Sequence, residues 1–394
     1  MAHSSKLALW QLKKKKAHMN RRNFLGTLAG TGMLLATDSP LASAHNLPAS
    51  QPLNPPRIPR YRGFNLQWER KPDDTTSHAF SEQDFALMQE WGFNFARLPL
   101  SYWIWGKADD WSFINDAPLA EIDRAIALGK QYGVHININF HRIPGYCIND
   151  RQLEAADLFT GRKAEQARAL TAACHHWAHF ARRYKGIPAS ELSFDLINEP
   201  PNMRSFEGYL EERYAEIIRA LVAAIRAEDP ARLIFADGID IGQLPVLEVA
   251  DLGIVQSTRG YQPKAVTHYG ANWVPLNEYE SMQPPTWPLT DRHNQLWDRA
   301  RLHHEYISKW QPLIDRGVAI HVGEWGCYNH TAHEVALAWM SDCLSVWREV
   351  GWGNALWNFR GDFGILDSNR KDVAYENFRG HLLDRKMLEL LRTA

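Results

Sequence analysis

Apolar positions along this chain follow two alternating rhythms. Short β-rich runs such as FNFARLPL (Phe93–Leu100), VHININFH (Val134–His141) and LIFADGID (Leu233–Asp240) alternate with longer stretches whose apolar residues fall three and four apart. The strand-like runs begin at RGFNLQW (Arg62–Trp68) and end at NALWNFRG (Asn354–Gly361). Between them lie a fourth run opening at Leu192, a sixth at AVTHYG (Ala265–Gly270) and a seventh at VAIHVGEWG (Val318–Gly326). Helices are predicted over about Ser81–Trp91, Pro118–Tyr132, Lys163–Tyr184, Phe206–Glu228, Gln295–Arg316 and His333–Val350. The first has capping-box spacing in Ser81 and Asp84. Eight strands separated by helices predict one α/β domain over residues 61–394, a (β/α)8 TIM barrel. The competing open, doubly wound sheet calls for a Gly-rich phosphate loop after its first strand, and no such loop follows Trp68.

The fourth run carries the sharpest signal. Leu192, Phe194, Leu196 and Ile197 make a buried-strand pattern that stops at Asn198, Glu199, Pro200 and Pro201. Proline cannot donate to a strand ladder and turns the preceding residue away from helix, so the run ends on a carboxylate at a strand's C-terminal tip. In a parallel barrel those tips build the active site. Other tips carry Arg97 (strand two), His141 (three), His268 and Tyr269 (six), Glu324 (seven) and Trp357 (eight). Any one of these is unremarkable at a polar rim; together they mark a site. Glutamates on strands four and seven face each other across the mouth. That arrangement suits glycoside cleavage, in which one acid protonates the departing oxygen and one carboxylate supports an oxocarbenium-like transition state. An arginine beside one carboxylate keeps it ionised, while a less charged setting keeps the other protonated. Asp237 and Asp240 on strand five offer a third carboxylate site, but read better as polar rim residues.

Two connections are long, Asn139–Thr160 and Ala271–Gln295. The second holds Trp273, Trp287, Pro275, Pro284, Pro285 and Pro288, a stiff aromatic wall that serves either as a flap over an apolar edge or as a ligand contact. Of the 16 tryptophans, Trp68, Trp103, Trp105, Trp273, Trp325 and Trp357 fall at or just after strand ends, where an indole can stack on a sugar ring.

Charge separates the N-terminus from the rest. Residues 1–44 carry seven of the 44 Lys/Arg and one of the 45 Asp/Glu, leaving 37 basic against 44 acidic residues in the remainder, a net of −7. Such a body has no electrostatic case for nucleic acid. In the first segment, Arg21-Arg22 followed by Phe24-Leu25, an apolar run to Ala36 and the small-residue site Ala42-Ser43-Ala44 resembles a twin-arginine export signal. The expectation is a bacterial periplasmic or secreted protein that engages the twin-arginine translocase, is cleaved before His45, and has no membrane association afterwards. Met19, just before the arginines, is an alternative start. Residues 45–60 are a Pro-rich lead-in. The four cysteines show neither C-x-x-C nor metal-ligand spacing and read as buried thiols, with one bridge possible.

Five segments together resemble glycoside hydrolase family 5, in the clan of retaining barrel glycosidases: RLPLSYW (Arg97–Trp103), NFHR (Asn139–Arg142), LINEP (Leu196–Pro200), HVGEWG (His321–Gly326) and LWNFRG (Leu356–Gly361). The resemblance spans about residues 61–365. It implies Glu199 as acid/base and Glu324 as nucleophile. It also implies Asn198 on the sugar 2-hydroxyl, Arg97 and Tyr269 holding the nucleophile, His141 and His268 ordering the site, and Trp357 flooring the reacting sugar's subsite. Trp325, Trp68 and Trp273 are further substrate-contact candidates. The family places one residue between the strand-six His and Tyr, whereas His268 and Tyr269 are adjacent. Either the strand end is bulged or Tyr269 does not reach the nucleophile. His321 reads as barrel interior. The implied protein is a monomeric β-glucan hydrolase that uses no cofactor and no metal, or a β-mannanase or exo-acting β-glucosidase of the same family. A metal-dependent barrel hydrolase would fit the 17 histidines but lacks a His-x-His at strand one, which ends Gln67-Trp68-Glu69. A barrel that binds carbohydrate without cleaving it would not need both glutamates.

Overall fold

The computed structural model describes residues 56–68, 79–201, 211–274 and 283–393. The expected export signal, most of the Pro-rich lead-in and the expected start of a helix at Phe206 lie outside them. Eight parallel strands close a barrel: β1 (Arg62–Asn65), β2 (Phe95–Ser101), β3 (His135–Arg142), β4 (Leu192–Asp195), β5 (Leu233–Asp237), β6 (Val255–Gly260), β7 (Ile320–Trp325) and β8 (Gly353–Leu356). Closure pairs β1 with both β2 and β8, in register Gly63↔Phe95 and Gly63↔Ala355. Gly63 is required there, since a Cβ would lie 1.7 Å from the Phe95 carbonyl oxygen.

Helices α1 (Glu82–Trp91), α2 (Leu119–Tyr132), α3 (Lys163–Arg183) and α4 (Glu211–Glu228) follow the first four strands. α5 spans 299–314 with a π turn at His304–Ser308, and α6 is His333–Glu349. β5 and β6 are joined through a 3-10 turn, Leu247–Leu252. Beyond β8 the sequence pattern had suggested no element, but a hairpin (Glu376–Phe378 with His381–Leu383) and α7 (Arg385–Thr393) pack onto the barrel, α7 burying Met387, Leu388 and Leu391. Ser81 is the N-cap of α1 but its side chain makes no capping bond, and the expected capping box does not form. Asp84 instead accepts from Arg360 Nε at 2.9 Å, a charge-assisted bond that outcompetes a neutral cap.

The sixth strand is not where the pattern placed it. β6 is VQSTRG, and AVTHYG forms a helical turn, Lys264–Thr267, with its remaining residues in the following turn. The β6 side chains from Gln256 to Arg259 are polar yet buried because each finds a partner. Gln256 bonds both the N–H and the C=O of Val246, Thr258 donates to the Gly242 carbonyl at 3.0 Å, and Arg259 points into the barrel. Hydrogen bonding therefore replaces the apolar alternation that a sequence reading looks for.

Two cores result. Side chains facing outward from the strands join those of the helices in one large cluster that includes Trp177, Trp310, Trp325, Trp339 and Trp347. Inside the barrel, Tyr61, Phe95, Phe235, Val255 and Ala355 form the floor. Phe95 stacks on His135 and packs against His321, which lies in the interior as expected. All four cysteines are free thiols. Among the described residues no helix is long and apolar enough to cross a membrane.

Candidate active site

Above the aromatic floor the barrel interior turns polar and charged. Two arginines from opposite sides organise it. Arg97 on β2 donates Nε to Asp195 (2.7 Å), Nη1 to Asn65 (3.0 Å) and to Glu324 Oε1 (2.5 Å), and Nη2 to Asn198 Oδ1 (2.8 Å). Arg259 on β6 donates Nε to Glu199 Oε1 (3.1 Å), both terminal nitrogens to Asp237, and Nη2 to Asn198 Oδ1 (2.8 Å). Its Nη2 also lies 3.4 Å from Glu324 Oε1. Asn198 is thus held by both guanidiniums through one oxygen. Its Nδ2 is buried and has no protein partner, a donor that needs a ligand.

Glu199 lies beyond the end of β4, its backbone at φ 49°. A non-glycine residue holds that conformation only when its surroundings enforce it. Here its N–H donates to Asp237 Oδ2 (2.8 Å), its carbonyl accepts from the Tyr146 hydroxyl (2.6 Å), and the neighbouring Pro200 carbonyl accepts from the Ile241 N–H (2.8 Å). Glu324 sits within β7, directed inward, while the next residue, Trp325, faces outward as strand alternation requires.

The two glutamates have opposite electrostatics. Burial, reinforced by repulsion from Glu324, pushes Glu199 up to about 7, with Arg259 opposing. Burial also penalises Glu324, but the Arg259 and Arg97 guanidiniums outweigh it and hold the carboxyl below its ordinary range. At neutral pH one is poised to hold a proton and the other to be ionised.

The structure sorts the remaining sequence-derived residues. Arg97, Asn198, Glu199 and Glu324 converge as expected. His141 stacks on the half-buried Trp357 with ring centroids 5.7 Å apart, and it lies close enough to Glu324 to act on its charge. Tyr269 does not hold Glu324: the hydroxyl that reaches it, at 3.4 Å from Oε2, belongs to Tyr261. The misplaced sixth strand explains the error. The expected spacing occurs at Arg259-Gly260-Tyr261, with arginine where histidine was sought. His268 lies behind this tyrosine, edge-on at 5.1 Å. Trp325 is fully buried, donates to Asn354 Oδ1 and packs against Trp347, so it belongs to the outer core and not to a substrate surface. Trp68 is buried edge-on against Phe80. Trp105 is core, and Trp103 is covered by the Arg142 guanidinium 4.0 Å from its ring. Trp273 is the exposed indole among them, edge-on to Tyr328 at 4.8 Å. Asp237, read as rim, is instead fully buried and braces Arg259 and the Glu199 backbone. Arg259 and Tyr261 were missed as site residues. The Arg-x-Tyr spacing beside a polar run was the available signal. Among the described residues no group of three or more His, Cys, Asp or Glu side chains is placed to hold a metal ion.

Known proteins place this geometry. The chain is similar to Endoglucanase C of Acetivibrio thermocellus, with 26% identity over 75% of this chain and 89% of that protein. It is also similar to Cellodextrinase A of Ruminococcus flavefaciens, with 29% identity over 74% of this chain and 82% of the relative. A crystal structure described as a glycoside hydrolase superposes with a TM-score of 0.79 at 37% identity, covering 85% of this chain and 99% of its own. The endoglucanase Cel5A of Thermotoga maritima shares the fold, with a TM-score of 0.64 at 21% identity over 84% of this chain and 96% of its own. The model of cellulase, glycosyl hydrolase family 5, matches residues 57–362. Sequence, barrel and comparisons agree, and the chain belongs to glycoside hydrolase family 5.

Proposed function

We propose that this glycoside hydrolase cleaves β-linked glucan by double displacement, with Glu199 as acid/base and Glu324 as nucleophile. The observation that carries the reading is the electrostatic division between the two glutamates: Glu199 lifted to about 7, Glu324 held low by Arg97 and Arg259. Glu199 donates its proton to the glycosidic oxygen while Glu324 attacks the anomeric carbon from the opposite face. The C–O bond to the leaving group breaks as the Glu324–sugar ester forms. Glu199, now ionised, takes a proton from water, which attacks the anomeric carbon and breaks its bond to the Glu324 oxygen, freeing the carboxylate. The unpartnered Nδ2 of Asn198 would donate to the sugar 2-hydroxyl, and Trp357 would stack under the reacting ring.

Two inversions give retention. A proton NMR time course on fresh product should show the β-anomer first; initial α-anomer would overturn the assignment of Glu324. For the substrate, the relatives' names, endoglucanase and cellodextrinase, favour glucan and cellodextrins. Product lengths from β-1,4-glucan, β-1,3-glucan, mannan and aryl-glycosides would fix linkage and endo or exo mode together. The twin-arginine motif supports export as a folded protein, tested by whether lysines at Arg21 and Arg22 trap precursor in the cytoplasm.

A further inference from the structure

Arg259 stands where the family pattern led us to seek a histidine, and the surrounding chain is shaped to receive it. A Cβ on Gly323 would lie 2.8 Å from its Nη1, and a Cβ on Gly242 would lie 2.8 Å from its Cγ. Ser257 supports Nη1 from below at 3.2 Å, and Asp237 takes both terminal nitrogens. The guanidinium is therefore fixed in a slot, 2% exposed, with edges left for Glu199, Asn198 and Glu324.

We propose that Arg259 is a positioning residue that couples the two glutamates: anchored on Asp237, one guanidinium holds Glu199 through Nε and faces Glu324 through Nη2, setting both their geometry and the pH window in which they work together. This rests on the acid/base and nucleophile roles given above. A histidine buried here would be neutral near pH 7 and would bond one carboxylate at a time, whereas arginine is a permanent cation with several donors in a rigid fork. The fork also explains how Glu199 keeps its orientation when its charge changes between the two half-reactions, because the remaining bonds to Asp237 and Asn198 hold the guanidinium still.

The charges facing each carboxylate give the sign. Glu199 is faced by Arg259 and Lys264 from β6 and its loop, by Asp237 from β5 and by Glu324 from β7. Glu324 is faced by Arg97 from β2, His141 from β3, Arg259 from β6 and the Tyr261 hydroxyl. Removing the Arg259 charge makes ionisation harder for both, so both limbs of the pH–activity profile move up.

The test is the pH profile of kcat/KM for Arg259→Gln, Arg259→Lys and the wild type, with circular dichroism to verify folding. Arg259→Gln should raise both limbs by about one pH unit. Arg259→Lys should leave the limbs near their wild-type positions yet lower kcat by about tenfold or more with KM little changed, because the point charge cannot span both carboxylates. If Arg259→Gln strands Asp237 and fails to fold, Arg259→Gln/Asp237→Asn removes the buried pair together. Its acidic limb, governed by Glu324, should still rise. Unmoved limbs in the folded charge-removing variant, or a wild-type kcat in Arg259→Lys, would overturn the proposal. Failure of the underlying roles looks different: Glu199→Ala or Glu324→Ala would then retain activity.

Discussion

At the scale of single residues, the proposed mechanism rests on two identical side chains made unlike by their neighbours. Glu324 lies against Arg97 and within reach of Arg259, while Glu199 meets one edge of Arg259 and the field of Glu324. That asymmetry makes the two alanine variants distinguishable. Glu199→Ala should lose about 10²–10⁴-fold on glucan, where the leaving group needs a proton, and much less on an aryl-glycoside whose phenolate leaves unaided. Added azide should then yield a β-glycosyl azide by attack on the intact covalent intermediate. Glu324→Ala should be inactive on both substrates. Equal losses on both substrates for Glu199→Ala would contradict the division of labour. In the wild type, kcat/KM should fall as pH rises through about 7, because the first step consumes the Glu199 proton. An alkaline limb centred far above that value would mean another group supplies it.

At the scale of elements, the sixth strand supplies the informative case. Tyr261→Phe removes the hydroxyl 3.4 Å from Glu324, while Tyr269 lies after the helical turn Lys264–Thr267. Tyr261→Phe should reduce kcat about tenfold, and Tyr269→Phe should leave it within about twofold, a contrast that steady-state kinetics would check. The reverse ranking would restore the sequence-based placement. The strands that were legible, β2, β3 and β7 among them, end in motifs whose apolar alternation survives up to the catalytic tip. β6 was not legible because Gln256, Ser257, Thr258 and Arg259 are buried as hydrogen-bonded groups. AVTHYG imitated a strand through β-branched and aromatic residues, but Val266 packs into the outer core and Thr267 donates to the Tyr261 carbonyl. Trp325 shows the complementary limit. Its place next to Glu324 in sequence suggested a substrate contact, but successive strand side chains face opposite ways, and its indole enters the outer core. Asp84 was likewise read by a local rule, the capping box, and captured by an arginine 276 residues away.

At the scale of the whole molecule, the barrel closes on itself late in the chain. Asn65 donates to the Ala355 carbonyl, 290 residues away, so strand one has no second neighbour until strand eight is in place. Local destabilisation is therefore felt by the whole barrel. Three buried histidines held neutral, His135 and His321 against Phe95 inside the barrel and His176 on α3, make this measurable. Burial lowers His135 and His176 to about 4 and His321 to about 3. For His176 the partners also dictate the tautomer: the Trp105 indole N–H donates to Nδ1 at 3.0 Å, so Nε2 carries the proton that meets the Trp111 carbonyl at 2.8 Å. Protonating Nδ1 would set two donors against each other. Each of these groups has a folded pKa below its unfolded value near 6.5 and so takes up protons preferentially when unfolded. Their contribution is fully present above about pH 6.5 and declines as pH falls toward 4, by about 1.4 kcal/mol per pH unit for each histidine. Asp195 and Glu199, raised to about 7 chiefly by burial, act in the opposite sense over part of that range, so the total slope mixes both. A difference measurement isolates one histidine. Glutamine at position 176 can accept from Trp105 and donate to Trp111 without titrating. His176→Gln should therefore melt somewhat below the wild type at pH 7, yet lose less of its melting temperature between pH 6 and pH 4. Parallel melting curves for the two proteins across that interval would show that His176 is not locked neutral in the folded barrel.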